Sequence, residues 1–503
     1  LLSNGHYSVM LTATGGGYSR WHHIAITRWH PDTTSSPWGS AIFLRDTRHP
    51  GIWSATGQTT EHQSSANNAA NHALFAEDYA RYTHRHDDIS SHLDVLVSGE
   101  DDSEVRLLSL TNNGRHTSDI DVTSYAELVL TTPAADNAHP CFAKMFVVTE
   151  YLSELNVLIA TRRQRDPSEA PVWVAHFAVV EGDTVGEMQY ETSRDTFIGR
   201  GRSLFNATAL AEGQRLTGTV GSVLDPILAL RYCLRVTPGS SARIAFWTVV
   251  AASREALMDL IDQHHDRSAF ERAKLLAWTQ AQVQLRHLGI QPDEAADFQR
   301  LAAPLLYPDA RFRAPPSAIK RGAGPQSLLW QHGISGDLPI VLLRIDSLMD
   351  IAQLHQLLRA HEYWRMKRLE VDIVVMNERS SSYVQDLQQA IEATILSSQA
   401  RPRLHEGQTQ GAVFALRADL TSLGSRTQLQ SIARIDLIAS RGAIADQLLM
   451  VLQEKKAPNV GVSTKRSLPQ PRTFKEPRPV TSPSELEFFN GLGGFAKQGK
   501  EYV

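Results

Sequence analysis

Four tryptophans fall close together near the N-terminus, Trp21, Trp29, Trp38 and Trp53, with Tyr18 and Arg20 just before them and Arg28, Arg45 and Asp46 between them. Sugars present apolar C–H faces and hydroxyl edges. Aromatic rings beside guanidinium and carboxylate groups therefore suit a glycan surface, and Tyr18, Arg20, Trp21, Trp29 and Trp38 are the residues that would form it. The competing expectation is a core role, because Trp is strongly buried on average and an indole N–H is readily satisfied at a turn.

Three other constellations carry possible chemistry. His84, His86 and Asp88 alternate, so one strand face would present all three at a spacing that could hold a metal, with a solvated strand face as the plainer expectation and no metal assigned. Glu100-Asp101-Asp102 and His264-His265-Asp266 read as a turn and a helix junction. Paired carboxylates can hydrolyse glycosides, but adjacency in sequence does not set the separation of about 5 to 9.5 Å that the mechanism needs. The string Trp330 to Pro339 frees a loop with Gly333 and Gly336, and Ser335 and Asp337 could meet a phosphate or hydroxyl there. It lacks both the P-loop lysine and the dinucleotide glycine spacing, and a tight turn entering a sheet is the plainer expectation.

The elements that would position these residues fall into an α+β multidomain order. Short apolar runs punctuated by Gly, Pro, Asn and Asp extend over residues 1–253, including Ala41 to Leu44, Val105 to Leu110, Ile120 to Tyr125, Val172 to Val180 and Ile244 to Val250. They predict a large antiparallel β-sandwich, with Asn113-Gly114 as a hairpin turn. Residues 254–310 read as linker helices packed against it. One runs from Ala269 to Leu288 with Phe270, Ala273, Ala277 and Leu285 on one face and Gly289 as its stop, and another opens at Pro292. Residues 311–454 alternate strand and helix as a small α/β (βαβαβα) domain, with strands at Pro339 to Ile345, Val371 to Met376 and Ala412 to Leu416 and a last helix over Thr427 to Arg441. Residues 455–483 are a proline-rich linker, and residues 484–503 read as the start of a second sandwich.

Composition narrows the class. With 503 residues, 42% hydrophobic, 21% charged and a net charge of −4, the chain has material for two or three cores and no charge extreme that would point to nucleic acid. Its apolar runs are far shorter than the ~20 residues of a membrane-spanning helix, and two cysteines suit a reducing compartment without a disulfide framework. No cofactor is assigned. Leu2-Ser3-Asn4-Gly5 has a counterpart in Phe488-Phe489-Asn490-Gly491, and the expectation is an internal piece of a larger polypeptide.

Longer strings carry a resemblance. Leu2 to Thr12, Gly17 to Trp21, Trp38-Gly39-Ser40 with Phe43 to Asp46, Ala277 to Gln282, Gly333 to Pro339, and Phe489 to Phe495 resemble the cyclic β-1,2-glucan synthases. That resemblance implies a supersandwich of the kind that precedes glycoside hydrolase family 94 barrels, formerly glycosyltransferase family 36, within a large inner-membrane protein. It also implies that glycosyl transfer, ring closure and phosphorolysis are carried outside this stretch, so no catalytic residue is assigned here. β-1,2-Glucan and the rest of the parent polypeptide would be the partners, on the cytoplasmic side of the membrane. Alternatives are an accessory part of a family 94 phosphorylase that lends loop residues to its site, and a purely structural spacer.

Overall fold

The strand Ser118–Thr131 sets the geometry of the N-terminal half. Successive side chains point to opposite faces, so Ile120, Val122 and Leu128 turn inward while Asp121, Thr123, Tyr125 and Glu127 turn outward. It pairs antiparallel with Pro226–Val236 along one edge, and with Ser40–Asp46 and then Ile24–Thr27 along the other. The structure, a computed structural model, describes residues 1–30, 39–49, 51–56, 71–379, 385–399, 411–453, 486–487, 495–496 and 501–502.

Among the described residues, antiparallel sheets of ten and eight strands pack face to face as a sandwich. Their shared core holds Tyr7, Trp21, Ile26 and Leu44 from the first sheet and Leu93, Leu108, Ile244 and Phe246 from the second. Both outer faces are also covered. The segment 194–216 lays Phe197, Leu204, Leu210 and Leu216 over Phe43, Tyr125 and Ile227 of the ten-stranded sheet. Helices Arg254–His264 and Ala269–Leu288 lay Leu257, Ile261, Phe270 and Ala273 over Val105, Phe177, Trp247 and Val249 of the eight-stranded one.

Helix Ala269–Leu288 ends at Gly289, whose φ of 65° gives the left-handed stop that a residue without a Cβ adopts cheaply. Its first half belongs to the layer that covers the outer face of the eight-stranded sheet and its last turn, through Leu285 and Leu288, to the core of the α/β region. There, four parallel strands run in the order Val413–Arg417, Asp372–Asn377, Ile340–Ile345, Ile435–Ile438. Val341, Leu343, Ile373 and Val375 pack on Leu354, Leu357 and Trp364 of helix Ile351–Met366 and on Phe298 and Leu301 of helix Pro292–Leu306. The other face packs Leu342, Val374 and Met376 on Leu329 and Leu429.

Three sequence expectations change. Helix Pro292–Leu306, expected against the sandwich, packs instead on the α/β sheet through Phe298 and Leu301. Asn113-Gly114 does not close a hairpin: Ser103–Asn112 pairs with Ile89–Val97 and Ser241–Ala251, whereas Ser118–Thr131 lies in the other sheet, so the turn carries the chain between sheets. Neither residue takes a positive φ; Asn112 instead holds the loop, accepting from the Gly114 N–H and donating to the His116 and Val236 carbonyls. The last expected helix, Thr427 to Arg441, divides into helix Leu423–Ile432 and a fourth strand, Ile435–Ile438. Ile435 and Leu437 alternate with Asp436 over only four residues, too short a run to separate strand from helix by period.

Residues Leu1–Leu452 form one compact unit and Gln453–Val503 another. Within the second, Phe495–Ala496 pairs antiparallel with Glu501–Tyr502. The expected proline-rich linker, 455–483, and the string Phe488-Phe489-Asn490-Gly491 lie outside the described residues.

Within the first unit, the α/β region is tied to the sandwich through Glu77. Tyr363 Oη donates to Glu77 Oε2 at 2.6 Å and accepts from Gln299 Nε2 at 2.7 Å, and Lys367 Nζ lies 3.8 Å from the same carboxylate. Burial pushes the Lys367 ammonium pKa down against the pull of Glu77 and Asp78. Replacing Tyr363 with Phe removes a donor from a half-buried carboxylate, at a cost of about 1 to 3 kcal/mol. Scanning calorimetry should show the Tyr363→Phe variant melting earlier, and an unchanged transition would refute a stabilising role for this contact.

Candidate functional site

Residues Gly17–Trp21 form a strand, so Tyr18 and Arg20 share one face and Ser19 and Trp21 the other. That alternation separates the expected glycan residues. Tyr18, Arg20 and Trp29 come together on the outer side of the ten-stranded sheet, with the Arg20 guanidinium 4.1 Å from the Tyr18 ring and Tyr18 and Trp29 edge-to-face at 5.4 Å. A third ring, remote in sequence and unsignalled there, is Tyr307 at the end of helix Pro292–Leu306. Its hydroxyl accepts the Trp29 indole N–H at 2.9 Å and its ring stands edge-on to Trp29 at 5.7 Å. Trp21 is 8% exposed in the sandwich core, and its indole donates to Asp102 Oδ2 at 2.7 Å. Trp38 lies outside the described residues.

Tyr18 is itself buried, and burial raises its phenol pKa. The space that Tyr18, Arg20 and Trp29 share with Arg28, Asp136 and Asn137 is about 20 Å³, room for a water and not for a sugar ring. A sugar stacked here would meet the half-buried outer surfaces of Trp29 and Arg20.

Beneath this group lies a buried ion network. Arg28, 2% exposed, holds Asp136 through two parallel bonds, Nε to Oδ2 at 3.0 Å and Nη2 to Oδ1 at 2.9 Å. Thr132 caps the short helix Pro133–Ala138 that presents Asp136. Arg28 Nη1 lies 3.6 Å from both Glu127 Oε2 and Asp225 Oδ1. Glu127 Oε1 accepts from Tyr125 Oη at 2.7 Å and Arg194 Nε at 2.9 Å, and Lys144 Nζ is 2.8 Å from Asp225 Oδ1. Three cations, Arg28, Lys144 and Arg194, thus balance three carboxylates, Glu127, Asp136 and Asp225. Burial disfavours the Arg28 charge, but the bonds and charges of Asp136 and its neighbours outweigh it, so the guanidinium is held more firmly protonated than usual.

Asp88 sits in the turn between strands Tyr79–His86 and Ile89–Val97, off the strand face shared by His84 and His86. His84 is buried, correcting the solvated face expected for it, and His86 stacks on Trp53 at 4.2 Å. No group of three or more His, Cys, Asp or Glu among the described residues is placed to hold a metal ion. Ser335 and Asp337 lie on an exposed turn that fastens itself. Gln326 Nε2 donates to the Ser335 carbonyl at 2.7 Å and to Asp337 Oδ1 at 3.1 Å, with Gly333 and Gly336 at φ of 74° and 78°. The two acid and His strings, far apart in sequence, meet in space: His264 Nε2 and Asp101 Oδ2 are 2.7 Å apart, and Trp247 stacks on the His264 ring at 4.1 Å.

Two large antiparallel sheets with both outer faces covered, and an aromatic and ionic group on one of them, define a supersandwich module. Residues 1–267 match the model of the glycosyl hydrolase 94 supersandwich domain, and the chain belongs to that family. It is 40% identical over 506 aligned residues to the cyclic beta-(1,2)-glucan synthase NdvB of Rhizobium meliloti (strain 1021), covering 100% of this chain and 18% of that protein. It is 22% identical over 243 residues to N,N'-diacetylchitobiose phosphorylase of Vibrio furnissii, covering 48% of this chain and 29% of that one. The chain therefore spans less than a third of either relative. A bacterial glucoamylase solved with acarbose aligns over 62% of this chain and 40% of its own, with 9% identity and a TM-score of 0.35.

Removing a charge tests the ion network. Arg28→Met removes both bonds to the buried Asp136 carboxylate and the nearest cation from Glu127 Oε2, and should cost roughly 3 to 5 kcal/mol in urea unfolding. Adding Asp136→Leu should recover part of it, and no loss in the single variant would contradict the network. The Asp101 carboxyl would rise on burial, but the bond and charge of His264, with the Ser103 and Ser98 hydroxyls, hold it below its ordinary 3.8. A depressed folded-state pKa contributes stability above the unfolded value that is lost as pH falls through the folded one. Asp101→Asn should therefore melt below the parent at neutral pH, with the gap closing as pH drops under 3.8. A gap that persists into that acid range would count against this assignment.

Proposed function

We propose that this chain is a carbohydrate-contacting and scaffolding segment of a cyclic β-1,2-glucan synthase, without a catalytic centre of its own. The observation that carries this reading is the 40% identity to the glucan synthase over 100% of the chain, sandwich, helices and α/β region alike. β-1,2-Glucan is the partner, and the remainder of a larger polypeptide supplies glycosyl transfer and ring closure, on the cytoplasmic side of an inner membrane. No helix among the described residues is long and apolar enough to cross a membrane, so on this reading other parts of that polypeptide make the attachment.

Glycan contact is assigned to Arg20 and Trp29, with Tyr18 as the ring that fixes both. Trp21 positions the strand from the core side. Trp38 and the turn of Ser335 and Asp337 are further contacts on this reading. The 22% identity to the chitobiose phosphorylase favours a second reading, an accessory part of a family 94 phosphorylase that contributes loop residues to its site.

Titration calorimetry with linear and cyclic β-1,2-glucans, with cellooligosaccharides as control, separates these readings. Selective heat that weakens about tenfold or more in a Trp29→Ala variant with an unchanged circular dichroism spectrum is the expected result. No heat with any glucan from a folded sample would leave a spacer, and phosphorolysis by the chain alone would favour the phosphorylase reading.

A further inference from the structure

The outward-facing stripe of strand Ser118–Thr131 has a second end, away from Glu127. There Asp121 stands opposite Cys233 in the antiparallel register with Pro226–Val236, and Arg231 lies two residues before Cys233 on the same face. The rim comes from Glu187 and Gln189, at the turn into strand Gln189–Ser193, and from Arg215 of the covering segment. Together these residues line a cleft of about 300 Å³, the size at which pockets for small ligands begin.

The floor of this cleft is fixed before anything enters it. Arg45 pairs with Asp121 and also donates to the Ala211 carbonyl at 2.8 Å. Arg231, 4% exposed, donates Nε to Thr123 Oγ1 at 2.9 Å, Nη1 to the Gln214 carbonyl at 2.8 Å and Nη2 to the Ala209 carbonyl at 2.6 Å. Asp121 and Arg231 both rise from paired strands, so their positions do not depend on a loop. Burial and the neighbouring Asp121 push the Cys233 thiol up to about 12, so it is a neutral group at physiological pH.

Asp121, Arg45 and Arg231 are already bonded within the floor, so the charged groups presented at the rim are Glu187 and Arg215, one of each sign, which disfavours a simple anion or cation as occupant. They do match the paired hydroxyls of a sugar, since a carboxylate accepts from two neighbouring O–H groups and a guanidinium donates to two oxygens. We propose that this cleft is a saccharide subsite for one or two neutral hexose rings, separate from the surface at Tyr18, Arg20 and Trp29. It rests on the carbohydrate reading above only for the identity of the sugar.

Cys233 supplies a local readout. In a Cys141→Ser background the rate at which a small methanethiosulfonate reagent modifies Cys233 at alkaline pH is measured with and without a β-1,2-linked glucose disaccharide. The disaccharide should slow modification severalfold. In a Glu187→Ala/Arg215→Ala variant, altered only at exposed rim positions, the concentration needed should rise about tenfold or more. Calorimetric heat from the disaccharide without protection of Cys233 would overturn this subsite and leave the Trp29 surface standing. Protection in a chain whose glucan heat does not depend on Trp29 would support the subsite and sink that surface. Protection by inorganic phosphate equal to that by the disaccharide would overturn the sugar assignment.

Discussion

One strand with two chemically opposed faces dictates where the other layers of this protein go. Ser118–Thr131 alternates apolar residues, which build the sandwich core, with Asp121, Thr123, Tyr125 and Glu127, which the covering segment 194–216 largely shuts away from water. Ion solvation lost on that side must be replaced by partners, because an unpaired buried carboxylate is far too costly to keep. The partners arrive from elements that are distant in sequence. Arg45 comes from one neighbouring strand, Arg28 from just past the end of another, and Arg194 from the covering segment. Each pair brings a piece of chain to a fixed place on the sheet.

The same face carries both candidate sites. At one end the ion network underlies Tyr18, Arg20 and Trp29, and at the other Asp121 and Arg231 floor the open cleft. Side chains held by several bonds on paired strands keep their geometry without a ligand, which reduces the ordering cost that binding must offset. The linking helix extends this rigidity. Ala269–Leu288 packs on the outer face of the eight-stranded sheet and in the α/β core, and Tyr307, just beyond the next helix, reaches back to Trp29. A glycan at Trp29 would therefore rest on a group built by both regions.

Much of the architecture was legible in the residues. Strand runs such as Ile244 to Val250 and the helix from Ala269 to Gly289 are long or clearly punctuated, so period and stop signals agree there. Strand Ile435–Ile438 was not legible, because four residues cannot distinguish the two periods. The Asn-Gly signal at residues 113–114 described the local turn chemistry of a hairpin, yet strand pairing is a non-local choice, and it went to Ser241–Ala251 and Ile89–Val97. Of the site, the sequence offered Tyr18, Trp29 and Arg20 and nothing of Tyr307, Asp136 or Asp225. The alternation of Asp119, Asp121, Thr123, Tyr125 and Glu127 with apolar residues was a signal for a polar face, but it did not say that the face would be covered.

Local backbone geometry thus makes the classes of element and their order readable from the residues alone, whereas the strand Gly17–Trp21, whose two faces part Tyr18 and Arg20 from Trp21, emerges only with the fold. Which face meets the core was settled by packing. That choice buried Trp21 against Asp102 and gathered Tyr18 and Arg20 beside Trp29. It also set which remote charges became partners, as with Asp101 and His264. The physical reason is that burial and ion pairing are properties of the packed layers, and a residue's distance along the chain does not fix its distance in space.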